Sequence, residues 1–331
     1  MEGINQCYTI KLILTLAVSG LLMSGCNTRN YKDSNDNKVL NIPKPFKIGY
    51  SVSINSITPE KLNYAKSVGI DHIELSGINS FFNKNGNFVD SDDEIEKKIN
   101  KVKRVLDETD INVWSVHMAF SQYMDLSTIW EEDRQMVVAK HKKLLLFLEI
   151  LEPEFILFHP SYYLDPPNQR NTRKSQLLKS AKELNKAVQR MGGTMVLENM
   201  LGPKLMKGDR ERPLMRTIEE TVEIFNHLPD SIFLAIDMNH IKSPERLIRA
   251  MGNRLKTVHI ADGRGKAENH YFPCSGEGEN NWMEILTALY EVGYSGPFMY
   301  ESAYEDEIDM VTCYESLYTK FIAEEYPSVV K

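Results

Sequence analysis

Short apolar runs alternate with longer amphipathic stretches along most of this chain. The short runs are rich in Ile, Val, Leu and Phe and read as buried strands. The longer stretches carry apolar positions three and four residues apart and read as helices. Strands are predicted near 47–52, 72–75, 113–117, 155–159, 195–198, 232–237, 257–259 and 298–301. Helices are predicted near 58–68, 92–109, 131–151, 174–191, 218–228, 244–251, 282–292 and 307–325. Thr58-Pro59-Glu60 marks the start of the first helix and Gly69 its stop. Every strand is followed by a helix, which is the order of a parallel sheet. Eight such units predict a closed (β/α)8 TIM barrel, α/β in class, as one domain over 46–326 with a short tail at 327–331. Loops that leave strands (76–90, 199–213, 260–279) are long, and those that enter them, as at 69–71, are mostly short. Long loops at the C-terminal ends of barrel strands form the working face. An open nucleotide-binding sheet is disfavoured, because 51–58 holds no glycine for a phosphate turn.

The amino terminus stands apart. Lys11 precedes an apolar stretch, 12–23, which is short for a bilayer span. Leu22-Met23-Ser24-Gly25-Cys26 closes it, so 1–25 reads as a signal peptide. The closing residues resemble the lipobox of bacterial lipoproteins. That resemblance implies acylation of Cys26 and anchorage in a membrane. It places the protein in the cell envelope of a Gram-negative bacterium, facing the periplasm or on the outer membrane. Each buried methylene of an acyl chain contributes roughly 0.8 kcal/mol, so several chains hold firmly. Residues 26–45 are polar and read as a flexible tether. Cys274 and Cys313, far apart in the domain, give no disulfide framework; a single bridge is compatible with them but not implied. Composition adds one exclusion: a net charge of −7 over 331 residues argues against a nucleic-acid partner.

Four of the predicted strands end in residues able to hold a divalent ion: Glu198, Asp237, His259 and Glu301. Neighbouring strands of one barrel would bring them together at its mouth. Hard carboxylates favour Mn²⁺ or Mg²⁺, and the one imidazole leaves Co²⁺ and Zn²⁺ open. A structural zinc is opposed by the lack of closely spaced Cys and His ligands. His117 and His159 close the third and fourth strands, either as substrate donors or as satisfied structural histidines. His240 follows Asp237 by three residues, as a substrate contact or a helix cap. Glu74, near the end of the second strand, bonds a substrate hydroxyl or packs internally. Arg264, in the loop after His259, faces substrate or solvent. His72, His141 and His227 lie away from the mouth and read as structural.

Five motifs follow one another in order. They are Leu197-Glu198-Asn199, Asp237-Met238-Asn239-His240, Val258-His259-Ile260-Ala261-Asp262, Gly276-Glu277-Gly278 before Trp282, and Gly293-Tyr294-Ser295-Gly296-Pro297 running into Tyr300-Glu301-Ser302. In that order they resemble the xylose-isomerase-like barrel family of sugar and sugar-phosphate isomerases and epimerases, over about 46–325. The resemblance implies one divalent metal on Glu198, Asp237, His259 and Glu301. It implies that Glu198 and Glu301 move protons, and that His240 and Arg264 contact the sugar. The implied reaction removes a proton next to a carbonyl, with the enediolate charge stabilised by the metal. Return of the proton gives an epimer or an isomer. The same site could instead expel a β-leaving group, as a lyase or dehydratase of a keto-sugar or 3-keto-glycoside. Export favours a keto-sugar or oxidised glycoside over a sugar phosphate. Apurinic-site endonucleases share the barrel and much of the residue set. They add an Asp-x-His pair after the seventh strand to complete three zinc sites, and His270 has no aspartate two residues before it. A sugar-binding lipoprotein without catalysis is a further alternative. The expected partner is a small-molecule sugar, and homo-oligomerisation stays open.

Overall fold

The computed structural model of the protein describes residues 30–32 and 39–327. The signal peptide and Cys26 lie outside the described residues. Within the segment read as a tether, Asn30–Lys32 pairs antiparallel with Val39–Asn41. The remaining unit begins at Pro43 and holds the barrel.

Its strands are β1 (Ile48–Ser53), β2 (Ile70–Ser76), β3 (Asn112–His117), β4 (Phe155–Phe158), β5 (Thr194–Glu198), β6 (Ile232–Asp237), β7 (Leu255–His259) and β8 (Phe298–Tyr300). Its helices are α1 (Pro59–Ser67), α2 (Asp92–Thr109), α3 (Glu131–Leu148), α4 (Arg170–Arg190), α5 (Ile218–Phe225), α6 (Pro244–Met251), α7 (Trp282–Glu291) and α8 (Glu307–Glu325). The sheet order is β7-β6-β5-β4-β3-β2-β1-β8, and each pairing is parallel. The ends of this sheet meet just past β7 and β8. The Ile260 amide donates to the Met299 carbonyl (2.7 Å), and the Glu301 amide donates to the Ile260 carbonyl (3.1 Å). That bridge closes the barrel as the alternation predicted.

The local signals explain the elements. All four residues of β4 are buried, as expected of a parallel strand covered on both faces. Helix α2 buries Ile95, Ile99, Val102 and Leu106 at helical spacing and exposes its charges. Burying Ile95 and Ile99 contributes about 1.5–3 kcal/mol each. Glu94 reaches back to accept from the Ser91 amide at 2.9 Å, a capping box. Inside the barrel, Phe155, Leu157, Val196 and Ala235 pack together with Trp114 and Phe233. This filling makes the lumen a core, so chemistry is confined to the rim. Among the described residues no helix is long and apolar enough to cross a membrane.

Several boundaries differ from the pattern. Strands β4 and β8 stop one residue early, so His159 and Glu301 stand just beyond them, where the backbone can turn the side chain inward. Helix α4 starts at Arg170 rather than 174, because Arg170 is tied to Glu211 (3.1 Å) and Glu220 (2.5 Å). The α3 pattern ends in a 3-10 turn, Glu149–Leu151. The loop after β5 holds a small hairpin, Met206–Lys207 against Arg210–Glu211. Cys274 and Cys313 form a disulfide, with Cα atoms 5.8 Å apart. It joins the loop after β7 to α8, a proximity that the return of the chain through β8 creates.

Candidate metal centre and active site

Strands β5, β6, β7 and β8 are consecutive neighbours in the sheet, and their ends carry Glu198, Asp237, His259 and Glu301. Asp237 is level with His259 across the β6–β7 pair. His259 Nδ1 lies 2.7 Å from Glu301 Oε2 and 3.2 Å from Glu198 Oε1. One ligand atom from each of the four residues falls within 4.8 Å of the others. The four predicted metal ligands are therefore brought together.

Two further groups share members with that set: His117, His159 and Glu198, and Asp237, His240 and His270. The Nε2 atoms of His117 and His159 are 3.2 Å apart and lie 3.4 and 3.1 Å from Glu198 Oε2. His240 Nε2 is 3.2 Å from Asp237 Oδ2, and that of His270 is 3.7 Å from it. Glu268 Oε2 closes this side, 2.8 Å from His240 Nε2 and 3.2 Å from His270 Nε2. Glu268 and His270 join the site from outside the residues that the sequence pattern nominates. Two residues before His270, at the position of the aspartate in an Asp-x-His pair, stands a glutamate, one methylene longer. The Glu-x-His spacing in a long loop was the available signal.

The donor set fits divalent ions. The Nδ1–H of His117 donates to the Met118 carbonyl (3.2 Å), that of His240 to Asn199 (2.9 Å) and that of His270 to Glu301 (2.7 Å). His259 uses Nε2 in the same way, toward Glu74 Oε2 at 2.9 Å. These tautomers follow from the acceptors, because a carbonyl cannot donate. Each ring then turns its other nitrogen toward the carboxylates, as metal-ligating histidines do. The close approach of the His117 and His159 nitrogens leaves room for at most one proton between them, and a cation satisfies both. Asn199 stiffens the frame: its side chain accepts from the Asp237 amide (2.8 Å) and donates to the Asp237 carbonyl (3.1 Å).

Electrostatics agree with a demand for positive charge. Burial lowers His159. At His117 burial acts the same way, but the Glu198 carboxylate outweighs it and raises the imidazole to about 9. At His270 burial is outweighed by Glu268, again to about 9. His240 and His259 are held well above their ordinary value, against burial, by Asp237 and Glu301 respectively. Burial raises Asp237 to about 6, although His240 and His270 pull it down. Burial would also raise Glu198 and Glu301. The His259 charge overrides it, lowering Glu198 well below the usual range and Glu301 to about 2. The carboxylates stay ionised, and His117, His240, His259 and His270 carry the compensating protons, the exchange that metal binding reverses.

A cavity of about 450 Å³ opens above these groups. His117, His159, Glu198, His240, Glu268, His270 and Glu301 line it, with Asn79 and Phe120 on the rim. Phe120 is 38% exposed and stacks on His159 with ring centroids 4.1 Å apart. Two expected substrate contacts are not brought there. Arg264 is exposed on the outer side of its loop, where it pairs with Glu279 at 3.2 Å. The loop is turned by Asp262, whose carboxylate accepts from the Gly263 and Asn280 amides and from Trp282 Nε1. A Cβ at Gly278 would collide with that carboxylate, which accounts for the glycine before Trp282. Glu74 is fully buried beneath the cavity rather than lining it. His141 is buried in α3, and His72 lies away from the mouth, as expected.

A parallel barrel with histidines and carboxylates converging at the C-terminal mouth defines a class of barrel with a metal-competent active site. The family model described as xylose isomerase-like TIM barrel matches residues 62–315, and the chain belongs to that family. Similar solved structures include a D-tagatose 3-epimerase-like protein, at 19% identity and a TM-score of 0.66, covering 83% of this chain and 98% of that one. The 3-keto-D-glucoside 4-epimerase from E. coli matches at 18% identity and a TM-score of 0.61, covering 82% and 99%. The D-psicose 3-epimerase from Clostridium cellulolyticum H10 matches at 19% and 0.63, covering 83% and 98%. At these identities the likeness establishes the fold. No curated protein matches the chain.

Proposed function

We propose that this protein is a divalent-metal-dependent epimerase or isomerase of a keto-sugar. The observation that carries the reading is the convergence of two carboxylates, Glu198 and Glu301, on one imidazole beside Asp237 at the floor of the cavity. A divalent ion on Glu198, Asp237, His259 and Glu301, Mn²⁺ or Mg²⁺ before Co²⁺ or Zn²⁺, would supply Lewis-acid stabilisation of the enediolate charge. Glu301 is the more accessible carboxylate, its side chain 24% exposed against 1% for Glu198. Ionised, it takes the proton from the carbon beside the carbonyl. The C–H bond breaks, its electron pair enters the enediolate, and the proton rests on the carboxylate. Glu198, first protonated by His117, whose Nε2 lies 3.4 Å from its Oε2, delivers that proton to the opposite face and inverts the centre; proton exchange with solvent then restores Glu301 and His117. Return by the same group to the neighbouring carbon gives the isomer. His117, His159 and His240 offer hydrogen bonds to sugar hydroxyls, and Phe120 offers an apolar wall to a ring face. The similar structures named above, a D-tagatose 3-epimerase-like protein, a 3-keto-D-glucoside 4-epimerase and a D-psicose 3-epimerase, support this class.

A second reading, metal-dependent hydrolysis of a phosphate ester, is favoured by one observation: the two additional ligand groups that share Glu198 and Asp237. Several ions held side by side would suit that chemistry. The test is mass spectrometry of products from a panel of keto-sugars and 3-oxidised glycosides with Mn²⁺, alongside a metal count. A product of equal mass supports the epimerase or isomerase. A freed aglycone or an enone would make the enzyme a lyase, and phosphate release with three bound ions would make it a hydrolase. Full activity after exhaustive chelation would sink the metal mechanism in either form. We read the enzyme as exported and anchored through Cys26, and the Cys274–Cys313 bond is in keeping with this, since disulfides persist in oxidising compartments.

A further inference from the structure

The geometry points to Glu74 as a positioning residue that sets the metal affinity of His259, not as a sugar contact. Glu74 lies on β2 and is fully buried. Its neighbour across the β2–β3 pair is Ser115, also fully buried. Ser115 Oγ donates to Glu74 Oε2 at 2.7 Å, and His259 Nε2 lies 2.9 Å from the same oxygen. A hydroxyl on one strand thus fixes a carboxylate on the next, and that carboxylate fixes the ring. With Nε2–H committed to Glu74, Nδ1 is the nitrogen that faces Glu198 and Glu301.

This support differs in kind from that of the neighbouring rings. His117, His240 and His270 donate to neutral backbone carbonyls, which orient a ring without charging it. His259 donates to a carboxylate. A negative partner on the far nitrogen draws the N–H proton toward itself and makes the near nitrogen a stronger donor to a cation. Glu74 does not line the cavity, and the oxygen that holds His259 already accepts from Ser115 as well, so its defined contacts run to the ring and to β3.

The inference rests on the metal reading of the proposed function and not on the choice of sugar. The test is a titration of metal-stripped full-length protein with Mn²⁺, followed by calorimetry. Glu74→Gln keeps the size and an acceptor oxygen but removes the charge. It is expected to weaken Mn²⁺ binding on the order of 10–100-fold, while the KM for sugar, measured at saturating Mn²⁺, stays near that of the parent. Ser115→Ala loosens Glu74 without touching His259 and is expected to weaken binding in the same direction by less; it serves if Glu74→Gln does not fold. Unchanged Mn²⁺ affinity in the folded variants overturns the positioning role alone. So does a raised sugar KM with unchanged Mn²⁺ affinity, which would return Glu74 to the substrate. Absence of Mn²⁺, Mg²⁺, Co²⁺ and Zn²⁺ binding by the parent protein would overturn the metal reading itself.

Discussion

Breaking the Cys274–Cys313 bond is expected to destabilise the domain and to loosen one wall of the site. The bond closes a loop of 39 residues that contains α7 and β8. In the chain-entropy model such a closure restricts the unfolded ensemble by about 4 kcal/mol. Strain and residual structure in the unfolded chain usually reduce this, so about 2–4 kcal/mol is the working range. The consequence is local as well as global. Cys274 lies four residues past His270, whose ring donates to the Glu301 carbonyl and whose carbonyl accepts from the Ala303 amide. Freed from α8, this loop keeps those hydrogen bonds but loses its covalent tie. The assay is urea unfolding of the parent and of the Cys274→Ser, Cys313→Ser double variant, with and without reductant, together with hydrogen exchange over 264–276. The parent should lose its advantage in reductant, and the variant should be indifferent to it. Equal midpoints in all four measurements would refute the reasoning, as would unchanged exchange in a destabilised variant for its local part.

Other outcomes follow from the same geometry. Glu301→Gln removes the accessible carboxylate and should lower kcat by about 10²–10⁴-fold with an unchanged far-ultraviolet spectrum; a variant with parental kcat would end the acid–base role. Leu157→Ala opens a hole in the barrel lumen, where Leu157 is fully buried, and should cost about 2–5 kcal/mol in chemical denaturation. A cost below 1 kcal/mol would mean the lumen is not packed as described. His141 is wholly buried, and burial holds it down to about 4 from an ordinary 6.5. The unfolded chain therefore takes up this proton first. The stability is intact above pH 6.5 and is lost as pH falls toward 4, by about 3 kcal/mol for a gap of about 2.5 pH units. His141→Gln should flatten that part of the stability–pH curve, and an equally steep loss in the variant would exclude His141 as its source.

The alternation of runs along the chain determined the barrel, because each element is specified by its own local period and each strand is buried on both faces. The strand ends then announced Glu198, Asp237, His259 and Glu301, since a charged residue closing an apolar strand is costly unless it has a purpose. His117 and His159 were legible in the same way, and His240 by its place three residues after Asp237. Tertiary structure decided the rest. Glu74 and Arg264 carry chemistry that a sequence can only nominate; the side of the sheet or loop each faces sent one beneath the floor and the other to solvent. Glu268 and His270 sit in a loop with no period, so only the folded path of 260–281 brings them to Asp237. The Cys274–Cys313 bond, likewise, depends on where α8 lands after β8. Local pattern fixes elements and their ends because it acts over a few residues, whereas loop paths and cross-strand contacts depend on how the whole barrel closes.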